Sequence, residues 1–296
     1  MAFTPPARKP VQTHHVPQPK PKAQLGGGTP FGKDFSGPRP FVAAKQPVVR
    51  EVKPGQQVPG GRTKPAAKPP LVLQPTTLWD YPSQHYGEGA QGSQAYRGAT
   101  PSYVIWNMIQ RYTEPGETVL DPFCGSGTTL DVARDTGRKG IGFDLNPQRP
   151  DIEKADAREL PKALSGQVDM VFMDPPYSTH IDYSDDPRCI GKLDAGKDRA
   201  YYTAMEKAIA EAHRVLKPGG HFGLYVSDSY EHKGGKGKFN PIGFELFALM
   251  QKRFTPVDII SVTRHNRTLE MGNFRAAAEE GNFFLRGFNY LFIVKK

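Results

Sequence analysis

Asp174-Pro175-Pro176-Tyr177 combines a carboxylate, a turn without competing backbone amides and an aromatic face, which together can hold a planar amine. An exocyclic amine on a nucleobase is a poor nucleophile, because its lone pair is delocalised into the ring. Acceptors aimed at its hydrogens favour a pyramidal nitrogen whose lone pair can attack. Asp174 would supply one acceptor, a backbone carbonyl of the proline turn another, and Tyr177 a face for stacking. Taken alone, the same four residues also describe a rigid turn with an aromatic lid.

A second group begins 53 residues upstream. In Asp121-Pro122-Phe123-Cys124-Gly125-Ser126-Gly127-Thr128-Thr129, an acid, a proline and two close glycines follow the apolar pair Val119-Leu120. This reads as a strand, a tight turn and a helix start, where glycines allow close backbone approach and free amides accept polar groups. No lysine follows the second glycine and no third glycine completes G-x-G-x-x-G, so pyrophosphate is not the favoured ligand. Asp144 ends the next strand-like run, Gly140-Ile141-Gly142-Phe143, 23 positions beyond Asp121. An acid there meets a nucleotide ribose, although it could also cap a helix.

The two groups carry a resemblance. The Asp121–Thr129 stretch resembles motif I of S-adenosylmethionine-dependent amino-methyltransferases, which methylate exocyclic nitrogens of adenine or cytosine in DNA. Asp174 to Tyr177 resembles their catalytic motif IV. The resemblance covers about residues 95 to 296. It implies S-adenosylmethionine as cofactor, held by Asp121, Phe123, Cys124, Gly125, Ser126, Gly127 and Thr128 in the first motif and by Asp144 with Leu145 at the second strand. Asp156 and Ala157 resemble motif III, near the adenine of the cofactor, although Asp156 could equally cap the following helix. Thr100-Pro101 opens a helix resembling motif X, which helps hold the methionine end.

The resemblance further implies a site-specific DNA methyltransferase, with adenine N6 ahead of cytosine N4 because Asp rather than Ser opens the catalytic motif. One rival is RNA methylation at guanine N2, because some such enzymes share the motif order and an Asp-Pro-Pro-Tyr-like signature. Another is a nucleic-acid-binding module that kept the fold and lost activity. The order itself departs from many compact members of the family, in which the catalytic motif comes first. No restriction or specificity partner is indicated by the sequence.

For the frame that positions these residues the resemblance implies α/β architecture: a class I methyltransferase (Rossmann-like) fold, with a seven-stranded, mostly parallel sheet and a C-terminal antiparallel strand. Val104, Ile105, Met108 and Ile109 give a helix up to Tyr112, and Leu130, Val132 and Ala133 one to about Thr136. The apolar run Val168–Met173 reads as a buried strand delivering Asp174 at its C-terminal end, where ligands gather in such sheets. Residues 199–216 form a helix stopped by Lys217-Pro218-Gly219-Gly220, and Phe222–Val226 the fifth strand. A helix over 244–254 and strands over 257–262 and 287–294 follow; with no helical pattern between them, the last two form an antiparallel hairpin.

Gly and Pro number 31 and 29, and more than half of the prolines fall before residue 76. Over the same stretch twelve Lys and Arg face only Asp34 and Glu51, so the basicity of a chain of net charge +9 belongs to its beginning. Residues 1–70 are therefore expected to be a disordered basic arm and 71–296 the catalytic domain. Such an arm either attracts phosphate backbones or merely solvates the chain. Trp79, Tyr81, Tyr86 and Tyr96 stack on bases or, more commonly, pack.

Two cysteines, Cys124 and Cys189, support neither a disulfide framework nor a zinc site, and Cys189 follows Arg188 rather than a proline, unlike a C5-cytosine nucleophile. His180, Asp182, Asp185 and Asp186 form no established metal spacing. Without a signal-like or membrane-spanning apolar run, the expectation is a cytoplasmic, nucleoid-associated protein with no membrane partner. Three loops, 178–198, 229–240 and 263–286, are left for target recognition. They carry Lys233, Lys236, Lys238, Arg264, Arg267, Arg275 and Arg286, which could grip phosphates or remain solvated.

Overall fold

Val168–Met173 (β5) is almost wholly apolar because both of its faces are covered, and it pairs in parallel with Thr118–Asp121 (β2) on one side and Leu216–Val226 (β6) on the other. In the computed structural model the described residues are 68–233, 236–266 and 269–296. The expected arm falls on residues outside these, apart from Lys68–Pro70.

Beyond β2 lie Lys139–Asp144 (β3) and the short Glu153–Lys154 (β4), both parallel. Beyond β6 lies Phe288–Lys295 (β10), antiparallel both to β6 and to Thr255–Thr263 (β9), so one reversed strand closes the sheet as expected. All seven expected strands are present. An eighth, Leu78–Trp79 (β1), adds in parallel to β9 and gives the order β1-β9-β10-β6-β5-β2-β3-β4. Two residues are too few to show a strand period, which is why the sequence does not reveal it.

Helices cover both faces. Ser102–Tyr112 (α1) buries Val104, Ile105, Met108 and Ile109 with Trp79, Phe172 and Leu291. Ala200–Val215 (α3) and Ile242–Met250 (α4) bury Met205, Ile209 and Leu246 on the other face. Thr128–Asp135 (α2) starts directly on the glycine loop.

Two loops carry more structure than expected. Ser229–Lys233 (β7) and Lys236–Asn240 (β8) pair as a separate antiparallel hairpin. Between β9 and β10 lies a helix, Gly272–Glu280 (α5), so the last two strands are antiparallel neighbours without being a hairpin with an open loop. Among the residues of α5 only Ala278 is buried. Its sequence therefore has helix-forming Ala and Glu but no apolar stripe for periodicity to detect. None of the helices in the described residues is long and apolar enough to cross a membrane.

Candidate active site

The C-terminal ends of β2, β3 and β5 set three acids along one sheet edge: Asp121, Asp144 and Asp174. Asp121 is 4% exposed; its carboxylate accepts from the Phe123 amide at 2.9 Å and from the Thr129 hydroxyl at 2.5 Å, so it staples the turn to the first turn of α2. Asp144 accepts from the Gly125 amide at 2.9 Å and the Asn146 amide at 2.8 Å, and the Cys124 amide donates to the Phe143 carbonyl. The loop is thus held by the strand beside it.

Its glycines are there for two different reasons. Gly125 has φ 50°, and a Cβ on it would lie 2.9 Å from the Tyr96 ring. Gly127, at φ 81°, faces away from the cavity toward the Arg149 guanidinium, which also bonds to Asp131 at 2.9 Å.

A cavity enclosing about 810 Å³ with its mouth opens over this edge. Of the expected cofactor residues, Asp121, Phe123, Cys124, Gly125, Ser126 and Thr128 line it from the loop. Thr100, Asp144, Leu145, Asp156 and Ala157 line it from the surrounding elements. Gly127 and Pro101 do not. Pro101 is the residue flanking α1, outside its first turn, and faces a neighbouring cleft. Asp156 lines the cavity, and instead of capping a helix it closes the turn to Arg158, whose amide it accepts from at 2.9 Å and whose guanidinium it binds at 2.8 and 2.6 Å. Four carboxylates and no Lys, Arg or His line the cavity among the described residues. That set suits a cation with hydroxyl groups and repels phosphate.

Tyr96, Tyr183, Ser184, Cys189 and Ile190 also line the cavity. Sequence reading placed Tyr96 only in an aromatic cluster and Tyr183 nowhere, because their loops have no period. Their rings stack at 6.3 Å between centroids. Trp79 and Tyr81 are core, at 1% and 5% exposed.

Beside it lies a larger cleft, about 2350 Å³ on the same measure, lined by Tyr177, Tyr225, Arg264, His265, Arg286 and Asn289 among others. Gly98, Ala99, Tyr183 and Asp174 belong to both spaces. Asp174 is therefore in the wall where they meet. The Thr100 hydroxyl donates to its Oδ2 and the Tyr177 hydroxyl to its Oδ1, the latter at 2.6 Å. Thr100, at the expected opening of the helix, spends its hydroxyl on the acid, and α1 has no side-chain cap. Burial pushes the Asp174 carboxyl up to about 7 against the pull of these two donors. Burial does the same to Asp121, also to about 7, with smaller pushes from Asp174 and Asp144.

The proline turn is braced from below. The Pro176 carbonyl accepts from the Tyr201 hydroxyl at 2.8 Å and the Ser178 amide at 3.2 Å, so it is not the backbone acceptor that the turn was expected to offer an amine. Pro175 is buried and lines neither space. Ser178 sits in the left-handed region at φ 62°, unusual for a residue with a Cβ, and its hydroxyl oxygen accepts from the Ala195 amide at 2.9 Å.

Of the basic loop residues, Arg264 and Arg286 face the larger cleft, Lys238 donates to the Gly196 carbonyl, and Arg275 is exposed. Arg267 lies outside the described residues. Asp182 and Asp186 pair with Lys192 and Arg188.

The chain is similar to known proteins. The DNA methylase family profile matches residues 45–154 and 168–295. The Type II methyltransferase M.ScaI of Streptomyces caespitosus is 37% identical over 31% of this chain and 32% of its own length. M.HpaI of Haemophilus parainfluenzae is 31% identical over 27% of this chain and 25% of its own length. A sterol 24-C-methyltransferase of Yarrowia lipolytica is 28% identical over 50% of the chain and 38% of its own length. The matched stretches thus span well under half of these relatives. Similarity of this extent is shared by enzymes named for different acceptors, so it does not choose the acceptor.

Proposed function

Because the chain belongs to the DNA methylase family, we propose that it transfers a methyl group from S-adenosylmethionine to an exocyclic amino nitrogen of a DNA base. The carrying observation is that Asp174 stands in the wall shared by an acidic, cation-free cavity and a larger cleft bearing Arg264, His265 and Arg286. The first space suits a sulfonium nucleoside and the second a phosphate-bearing polymer.

The four carboxylates and the glycine approach beneath Tyr96 fit the cofactor: Asp144 would take the ribose hydroxyls, Asp156 and Ala157 the adenine, and Thr100 and Asp121 the remainder of the molecule. When bound, S-adenosylmethionine supplies an electrophilic methyl whose carbon–sulfur bond breaks as the amine bonds to that carbon, the electron pair returning to sulfur. Asp174 accepts hydrogen bonds from the amine and so localises its lone pair. It then takes the proton that the methylated nitrogen sheds, a task suited to a carboxyl titrating near 7. Tyr177 presents its ring to the same cleft for stacking. On this reading the protein works in the cytoplasm, in contact with the nucleoid.

Transfer from methyl-labelled cofactor to DNA and to RNA, resolved by nuclease, tests the reading. Label in DNA alone is expected; label in RNA alone would overturn it.

A further inference from the structure

Three neighbouring strands bring three polar groups to the larger cleft on one face of the sheet. Met173 of β5 pairs with Leu224 of β6, so Asp174 comes beside Tyr225. Tyr225 pairs with Leu291 of β10, and Asn289 is the diagonal neighbour two residues along. Phe172, Tyr225 and Leu291 pack in the same core cluster, which places Asp174 and Asn289, each two residues from a member, on that face too.

Tyr225 and Asn289 are 3% and 7% exposed and both line the cleft. Asn289 lies close enough to the Tyr225 hydroxyl to draw its pKa down, against the larger upward push of burial. The Tyr225 hydroxyl is kept protonated first by burial and then by the Asp174 charge, so it has a hydrogen to donate. Asn289 Oδ1 is a buried acceptor without a partner. Buried orphans of this kind are rare unless something else satisfies them.

Resting on the proposed methyl transfer to DNA, we propose that Asp174, Tyr225 and Asn289 form an acceptor–donor–acceptor row that reads the pairing edge of adenine and disfavours cytosine. Adenine offers along that edge an amino donor, the N1 acceptor and a weak C2–H donor, which complement the row in order. Cytosine offers an amino donor, the N3 acceptor and the O2 acceptor, which would oppose Asn289 Oδ1. Two acceptors facing each other without a proton are costly in a desolvated site.

Nucleosides from DNA treated with the protein and cofactor, analysed by mass spectrometry, are expected to contain N6-methyladenine. N4-methylcytosine as the main product would overturn the row while leaving the proposed function intact; no methyl transfer to DNA would overturn that function and the row with it. On a duplex carrying the mapped site, replacing the target adenine by 1-deazaadenine, which lacks the N1 acceptor, should lower kcat/KM by about tenfold to a hundredfold. Tyr225→Phe should lose that discrimination, being equally slow on both bases; a variant that still discriminates as the wild type does would overturn the row. Should Tyr225→Phe fail to fold, Asn289→Leu serves instead: with the target replaced by cytosine, its relative kcat/KM should rise about tenfold, and an unchanged ratio would count against the row.

Discussion

The Tyr177 hydroxyl donates to Asp174 Oδ1 across 2.6 Å, so the residue expected to stack on a base is tied by its polar end to the acid that must hold the amine. Ring and hydroxyl therefore have separable duties. Tyr177→Phe should keep base binding, lower turnover by roughly tenfold through loss of a hydrogen bond to a charged group, and move the acidic limb of the kcat profile upward. Tyr177→Ala should weaken base binding as well, with cofactor affinity little changed. Steady-state kinetics across pH, with cofactor calorimetry, would separate the two.

Asp174→Asn keeps the size of the side chain and removes its charge. Single-turnover transfer should fall by roughly a thousandfold, while calorimetry still detects the cofactor. A variant retaining a tenth of the transfer rate would show that another group activates the amine.

Asp121 and Asp174 are both pushed up to about 7, above the ordinary 3.8 of a carboxyl. The native protein thus holds protons that the unfolded chain has released. The stability these groups contribute is complete below about pH 4 and is lost as pH rises through about 7. Thermal unfolding of the cofactor-free protein should therefore carry a downward contribution of several degrees over that window, much reduced in the double variant Asp121→Asn, Asp174→Asn. Above pH 7, S-adenosylmethionine, with its cationic sulfur, should raise Tm more than S-adenosylhomocysteine does.

Gly125 combines φ 50° with the Tyr96 ring where a Cβ would go. Gly125→Ala should raise the cofactor KM about tenfold, from a left-handed backbone penalty of about 1–2 kcal/mol plus displacement of the ring. KM for DNA should change little. A cofactor KM that stays unchanged would mean that the loop does not approach the ligand closely.

The basic beginning of the chain is expected to act as an electrostatic handle. Removing residues 1–67 spares Pro69, whose carbonyl accepts from Tyr81 at 3.0 Å. Cofactor affinity and the modified sequence should stay as they are, whereas DNA binding should weaken and its dependence on salt should flatten, because fewer counterions are released. Filter binding at a series of salt concentrations would show it; an unchanged slope would leave the arm as a solvating linker.

Local chemistry made much of this protein legible. Val168–Met173 is apolar enough to be a strand buried on both faces, Asp174 follows it directly, and two glycines after Asp121 signal a close-approach turn wherever they fold. The seven main strands follow from such runs, and most of the residues lining the cofactor cavity from the motifs set among them. Tertiary structure alone decided the rest, because those features lie in contacts between distant segments. Nothing around Thr100 announces that its hydroxyl meets Asp174, 74 residues away, instead of capping α1. Tyr96 and Tyr183 reach one cavity from loops without a period, and the exposed α5 lacks the apolar stripe by which a helix declares itself. Tyr225 and Asn289 read as ordinary strand residues. Their polarity acquires meaning only when the register of β5, β6 and β10 sets them, largely buried, beside Asp174 in the cleft wall, where an unpaired acceptor is costly and so becomes informative.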